Sequence, residues 1–164
     1  MPYTAHPETR VGHTHLKVSD LDRSIAFYRD VLGFEVKQHY GDQAAFLAAG
    51  DYHHHLGLNT WESRRGSPPA KGTTGLYHVA FLYPDRAALG QAVASVLGAG
   101  VALTGAADHG VSEAVYLDDP DGNGIELYRD RPPSDWPRDA DGNLAMVNAP
   151  LDVPALIAEG RAAT

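Results

Sequence analysis

The chain has nine histidines and no cysteine, and two of those histidines occupy matching places. His13 stands in "VGHTHLKV" and His78 in "LYHVAFLY", 65 residues later. A carboxylate, Glu126, stands between Ile125 and Leu127 in "DDPDGNGIELY". On a β-strand it points to the opposite face from those two neighbours. Turned inward it needs a partner, because an unpaired buried carboxylate is costly. Two imidazoles and one carboxylate make the facial set that holds non-haem Fe(II) and leaves several coordination positions open. His13, His78 and Glu126 are therefore the expected metal ligands. His15, two residues along the same strand face, is the alternative to His13, but the 65-residue register favours His13.

That register comes from an internal repeat. Residues 11–36 and 76–101 superimpose at one offset: His13 falls on His78, Asp20 on Asp85, and Val31-Leu32-Gly33 on Val96-Leu97-Gly98. Each copy reads strand, helix, strand. In the first strand, expected over 11–18, Val11, His13, His15 and Lys17 share one face and Leu16 and Val18 the other. Ser19 and Asp20 are N-cap candidates; Leu21, Ile25, Tyr28 and Leu32 recur at helical spacing; Gly33 supplies the stop. In the second copy Asp85 opens the helix, Leu89, Val93, Val96 and Leu97 form its stripe, and Gly98 ends it.

Further strand signals follow at 43–61 and 113–130, where Leu56-Gly57-Leu58 answers Ile125-Glu126-Leu127 at an offset of 69. The expectation is an α+β chain of two βαβββ modules, 9–61 and 74–130. A Pro/Gly/Ser linker at 62–73 joins them, and an extension at 131–164 is Pro-rich and then weakly helical from about Val153. A pseudo-twofold axis would bring His13, His78, Gly57 and Glu126 around one cleft.

Composition narrows the function. With 164 residues, 43% hydrophobic and 21% charged, the chain reads as one folded domain. The net charge of −8 with scattered Lys and Arg argues against nucleic acid or an anionic membrane surface. The absence of cysteine excludes disulfides, zinc–thiolate sites and thiol nucleophiles. The N-terminus lacks an apolar signal core, and no run approaches the ~18 apolar residues a membrane helix needs. A soluble cytoplasmic protein is expected.

These residues resemble the vicinal oxygen chelate (glyoxalase/bleomycin resistance/dioxygenase) superfamily, and within it the type I extradiol, catechol 2,3-dioxygenase-like enzymes. The segment "GHTHLKVSDLDRSIAFYRDVLGF" is typical of the whole superfamily. The dioxygenase signature is sharper: His109, Val115, Tyr116, Asp119, Pro120, Gly122 and Glu126 all match it, and Ala107 departs mildly from it. The resemblance covers about residues 9–130. It implies one half-open mixed-sheet barrel around a metal cleft, with Fe(II), or Mn(II) as the alternative.

The same resemblance implies the remaining roles. The family's acid–base histidine lies three residues before the position of Gly57, which is His54 of "DYHHHLGLN"; His53 and His55 then point away. Tyr116 would hydrogen-bond a substrate oxygen and His109 would line the same side of the pocket. Substrate would be a small aromatic diol with O₂, and a homodimer is expected. Phe46, Phe81, Trp61 and Tyr77 are candidates for an apolar wall. Glyoxalase I-like relatives carry a glutamate where this chain has Gly57, so glyoxalase chemistry fits poorly. The competing readings are a non-catalytic aromatic- or antibiotic-binding protein and a metal-dependent isomerase or lyase. For the tail the sequence leaves two positions open, over the cleft mouth or against a second subunit.

Overall fold

A computed structural model describes residues 2–163. Its eight strands form two four-stranded mixed sheets that do not close into a barrel. In the first, β1 (Thr14–Lys17) lies parallel to β4 (Leu56–Asn59), and β3 (Ala44–Ala48) and β2 (Glu35–Tyr40) follow antiparallel. In the second, β5 (Val79–Leu82) lies parallel to β8 (Gly124–Asp130), followed by β7 (Ser112–Asp118) and β6 (Leu103–Asp108). Sheet orders β1-β4-β3-β2 and β5-β8-β7-β6 repeat the same topology. The architecture is α+β and half-open.

Alternation decides which face of each sheet is covered. Leu16, Val18, Ala45, Leu47, Leu56 and Leu58 are buried in the core, whereas His15 and Lys17 are exposed. In the second sheet Val79, Val115, Leu117, Ile125 and Leu127 join that core, whereas Ala80 and Leu82 are exposed. Each sheet therefore keeps one face for the core and leaves the other open.

Both main helices begin where a side-chain cap is available. Asp20 accepts from the Arg23 N–H at the start of α1 (Leu21–Ala26), which widens into a π-helical turn over Phe27–Val31. Asp85 accepts from the Ala88 N–H at the start of α2 (Arg86–Gly98). Capping of this kind satisfies an N–H that the helix itself cannot. Gly98 is still helical; the left-handed residue that turns the chain is Gly100, at φ +76°. Leu97 is exposed, at 42%, and Gly90 is buried in the helix face instead. The reason is α3 (Val153–Ala162), which crosses α2 so closely that Gly90 meets the Leu156 carbonyl and Gly160 meets the Gln91 N–H.

The two halves are fastened by polar contacts as well as by the core. Tyr28 donates to the buried Asp119 carboxylate at 3.0 Å. Asp121 accepts from the Ser19 hydroxyl at 2.6 Å, the Ser19 N–H at 3.1 Å and Arg23 at 2.5 Å. Phe34 packs on Phe81 with ring centres 4.9 Å apart. Phe81 is thus a core residue on the covered face, not part of an open pocket wall. No helix among the described residues is long and apolar enough to cross a membrane.

Candidate metal centre

The register of the sheets places equivalent residues in one row across each open face. In the second sheet the row is Ala80, Glu126, Tyr116 and Gly105. In the first it is His15, Gly57, Phe46 and Gln38. The halves are chemically inverted: where one has an imidazole on its first strand and no side chain on its fourth, the other has a methyl group and a carboxylate. His13 and His78 each lie one residue before their strands.

A connected line of polar groups runs through the second row. His78 Nε2 lies 2.9 Å from Glu126 Oε2. The Tyr116 hydroxyl is 3.2 Å from Glu126 Oε1 and 2.8 Å from His109 Nε2. The Glu126 side chain is only 12% exposed, so these neighbours supply the partners a half-hidden carboxylate needs. Burial, reinforced by the adjacent Glu126, pushes the Tyr116 phenol up to about 12, so it is a hydroxyl donor at neutral pH. An open cavity of about 540 Å³ lies alongside, lined by Tyr77, His78, Gly105, His109, Tyr116 and Asn148 among others. Tyr77, an expected wall residue, is on this side.

Local sequence explains how His78 reaches Glu126. Strand β8 starts at Gly124, and a Cβ there would collide with the Tyr77 carbonyl and lie 3.2 Å from His78 Cβ. Only glycine lets the strand pass this close beneath His78.

The first row carries the other imidazoles. His13 and His54 have ring centres 4.5 Å apart, and His54 also lies 5.1 Å from Phe46. His53 Nδ1 and His54 Nδ1 are within 2.7 Å, so one donates and the other accepts. Burial first, and then the neighbouring histidines with His13 foremost, hold the His54 imidazole below its ordinary range. His55 turns back to accept from the Ala49 N–H and faces Phe34, whereas His53 stacks on Tyr52. His15 lies between Phe46 and Trp61, at 5.9 and 5.6 Å. Its ring fills the space above Gly57, where an added Cβ would come within 2.9–3.0 Å of it.

Two pairs are thus assembled, His78 with Glu126 and His13 with His54, and they do not converge within one chain. Among the described residues no three His, Cys, Asp or Glu side chains meet at a point where an ion would fit. Sequence reasoning had no means of seeing the tail here. Asn148 lines the cavity, and the Val147 carbonyl lies 3.1 Å from His109 Nδ1. Backbone atoms and long-range contacts leave no mark in residue type or spacing.

Comparison with known proteins bears on this geometry. A family model described as the Glyoxalase/Bleomycin resistance protein/Dioxygenase superfamily matches residues 10–127. A catechol-2,3-dioxygenase from Bacillus subtilis (strain 168) is 43% identical over 94% of this chain; the chain spans 53%, about half, of that protein's length. A probable lactoylglutathione lyase from Vibrio parahaemolyticus serotype O3:K6 is 29% identical over 74% of the chain and 91% of its own length. Among solved structures, a glyoxalase/dioxygenase from Nostoc punctiforme aligns with a TM-score of 0.63 at 25% identity, covering 80% of this chain and 99% of its own.

Proposed function

From a chain that belongs to the Glyoxalase/Bleomycin resistance protein/Dioxygenase superfamily, we propose an extradiol dioxygenase that opens a catechol-type ring with O₂, using a divalent metal held by His13, His78 and Glu126. The observation that carries this reading is the line His78–Glu126–Tyr116–His109, which sets a proton-handling pair directly behind two candidate ligands. A binding protein has no use for such a pair. The donor chemistry fits: an imidazole and a carboxylate whose N and O atoms face each other at 2.9 Å are an N/O set suited to Fe(II), with Mn(II) as the alternative. When bound, the ion brings diol and O₂ together and carries electron density between them.

The third ligand comes from a second copy. Within one chain His13 and His54 belong to one open face and His78 and Glu126 to another. A twofold homodimer laying the first open face of one copy on the second open face of the other joins His13 to His78 and Glu126, twice per dimer. Exposure of Tyr77 and Leu82 beside the second face supports an apolar partner there.

The chain's own groups then divide the work. His54 takes the proton from a substrate hydroxyl and returns it later, as a positioned imidazole can. Tyr116 hydrogen-bonds a substrate oxygen, and His109 holds the Tyr116 hydroxyl. Phe46 and Trp61 offer aromatic surface to the ring; full burial of such a group contributes roughly 1.5–3 kcal/mol. Gly57 has no side chain and lies beneath His15, so it adds no fourth ligand. The lyase relative favours a second reading, a metal-dependent isomerase or lyase, but that reading leaves the His109–Tyr116 pair without work.

Anaerobic reconstitution with Fe(II), followed by oxygen uptake and ring-opened product across a panel of catechols, tests the proposal. Turnover of at least one catechol is expected. Stoichiometric iron with no oxygen uptake on any of them replaces it with the binding-protein reading.

A further inference from the structure

The extension beyond residue 130 is tied to the site at one residue. Segment 144–149 lies against the end of β6, with the Asp108 and Ala149 backbones exchanging two 2.9 Å hydrogen bonds and the Val147 N–H donating to the His109 carbonyl at 3.0 Å. Gly110, at φ +75°, lies so close that an added Cβ would stand 2.7 Å from Pro137 and 3.2 Å from Val147. The far end is anchored where α3 crosses α2. This strap delivers the Val147 carbonyl oxygen to His109 Nδ1 at 3.1 Å.

A carbonyl oxygen accepts and never donates, so the proton must be on Nδ1. Neutral imidazole has a single N–H, which leaves Nε2 a bare lone pair 2.8 Å from the Tyr116 oxygen. The Tyr116 hydroxyl lies 3.2 Å from Glu126 Oε1 and 2.8 Å from His109 Nε2; with Nε2 bare, its one proton is drawn to the nearer His109, while Glu126 Oε2 keeps His78 Nε2 at 2.9 Å. Val147 is 48% exposed, so this residue serves the site through its backbone and not through packing.

We infer that segment 144–149 is a positioning element which, through the Val147 carbonyl, fixes the His109 tautomer and so the direction of the Tyr116 hydroxyl. It deepens the reading of the site proposed above, and it is tested without turnover. Full-length metal-free protein with ¹⁵N-labelled histidine is examined by long-range proton–nitrogen correlation at a pH where His109 is neutral. The wild type shows Nδ1 protonated and Nε2 bare. Tyr116→Phe keeps that pattern, because the strap and not the phenol sets it. Ala149→Pro, which removes the N–H given to Asp108, and Gly110→Ala, which pushes the strap outward, lose it in favour of the Nε2–H form that water prefers.

Three results overturn the inference: Nε2–H in the wild type, loss of the Nδ1–H pattern in Tyr116→Phe, or its persistence in whichever strap variant folds with its sheet amide resonances in place. Should neither strap variant fold, the wild type and Tyr116→Phe still decide it. A failed tautomer test leaves the dioxygenase reading untouched, and an inactive protein leaves the tautomer reading untouched.

Discussion

The imidazole of His15 lies across Gly57, with ring atoms 2.9–3.0 Å from where a Cβ would be, and is flanked by Phe46 and Trp61. Gly57→Ala therefore forces His15 out of its aromatic seat, at a cost of about 1–3 kcal/mol by the usual penalty for overpacking. In His15→Ala the same substitution costs little. A urea-denaturation double-mutant cycle reads the coupling. Additive losses would show that the ring does not occupy the space above the glycine.

Gly124→Ala is expected to displace the Tyr77 backbone and His78, since the new methyl would lie against both. Metal affinity should fall at least tenfold while the sheet stays folded. Isothermal titration with Fe(II) under anaerobic conditions, beside a circular dichroism spectrum, separates the two effects.

Mixing two dead variants tests the shared site. His13→Ala keeps an intact second half, and Glu126→Ala keeps an intact first half. After dissociation and reassociation, half the dimers are mixed and each has one complete site, so about a quarter of wild-type activity returns. No recovery in a mixture shown to contain heterodimers would place all three ligands in one chain.

His54→Ala should keep the metal and lose roughly 10²–10⁴-fold in kcat, the usual contribution of a general acid–base group. Metal analysis beside steady-state kinetics on the catechol that turns over checks it. Loss of the metal instead would make His54 a ligand.

Acid should loosen the joint between the halves at Asp121 and the turn after β6 at Asp108. Burial works against the charged forms of Asp121 and Asp108, yet the Ser19 hydroxyl and N–H with Arg23, and the Gly110 N–H with Arg131, hold both carboxyls below the usual range. A depressed folded value means the stabilisation is complete above the unfolded value, about 3.9, and is lost as pH falls through the folded one. Urea midpoints should thus decline modestly from about pH 7 to 5, because the His54 imidazole, held below its ordinary range, resists the proton that the unfolded chain takes up, and should drop further below about 4, where Asp121 and Asp108 lose their charge. Asp121→Asn should cost about 1–2 kcal/mol at pH 7 and flatten that acid limb.

Much of the molecule is legible along the chain because its causes are local. The caps at Asp20 and Asp85 and the alternation of Leu16 with His15 and Lys17 depend on side-chain type and period alone. So does the pairing of His13 with His78 and of Gly57 with Glu126, which the sheet register reproduces. Leu97 reads wrongly as part of the packed stripe because the pattern along one helix does not show α3, whose crossing claims the Gly90 side. Phe81 read as pocket wall because an aromatic residue on a strand does not reveal which face another element will cover.

The sequence by itself determined the residue types of the proposed ligands and their repeat, since imidazole and carboxylate chemistry depends on residue identity and a period of two assigns faces. Only the tertiary structure decided which of those groups meet. It joined His78 to Glu126 and Tyr116 to His109, set His13 beside His54 on a separate open face, and brought the Val147 carbonyl to His109. Those outcomes depend on how two sheets and a tail pack over long separations, where backbone geometry, unlike side-chain type, leaves no trace in the order of residues.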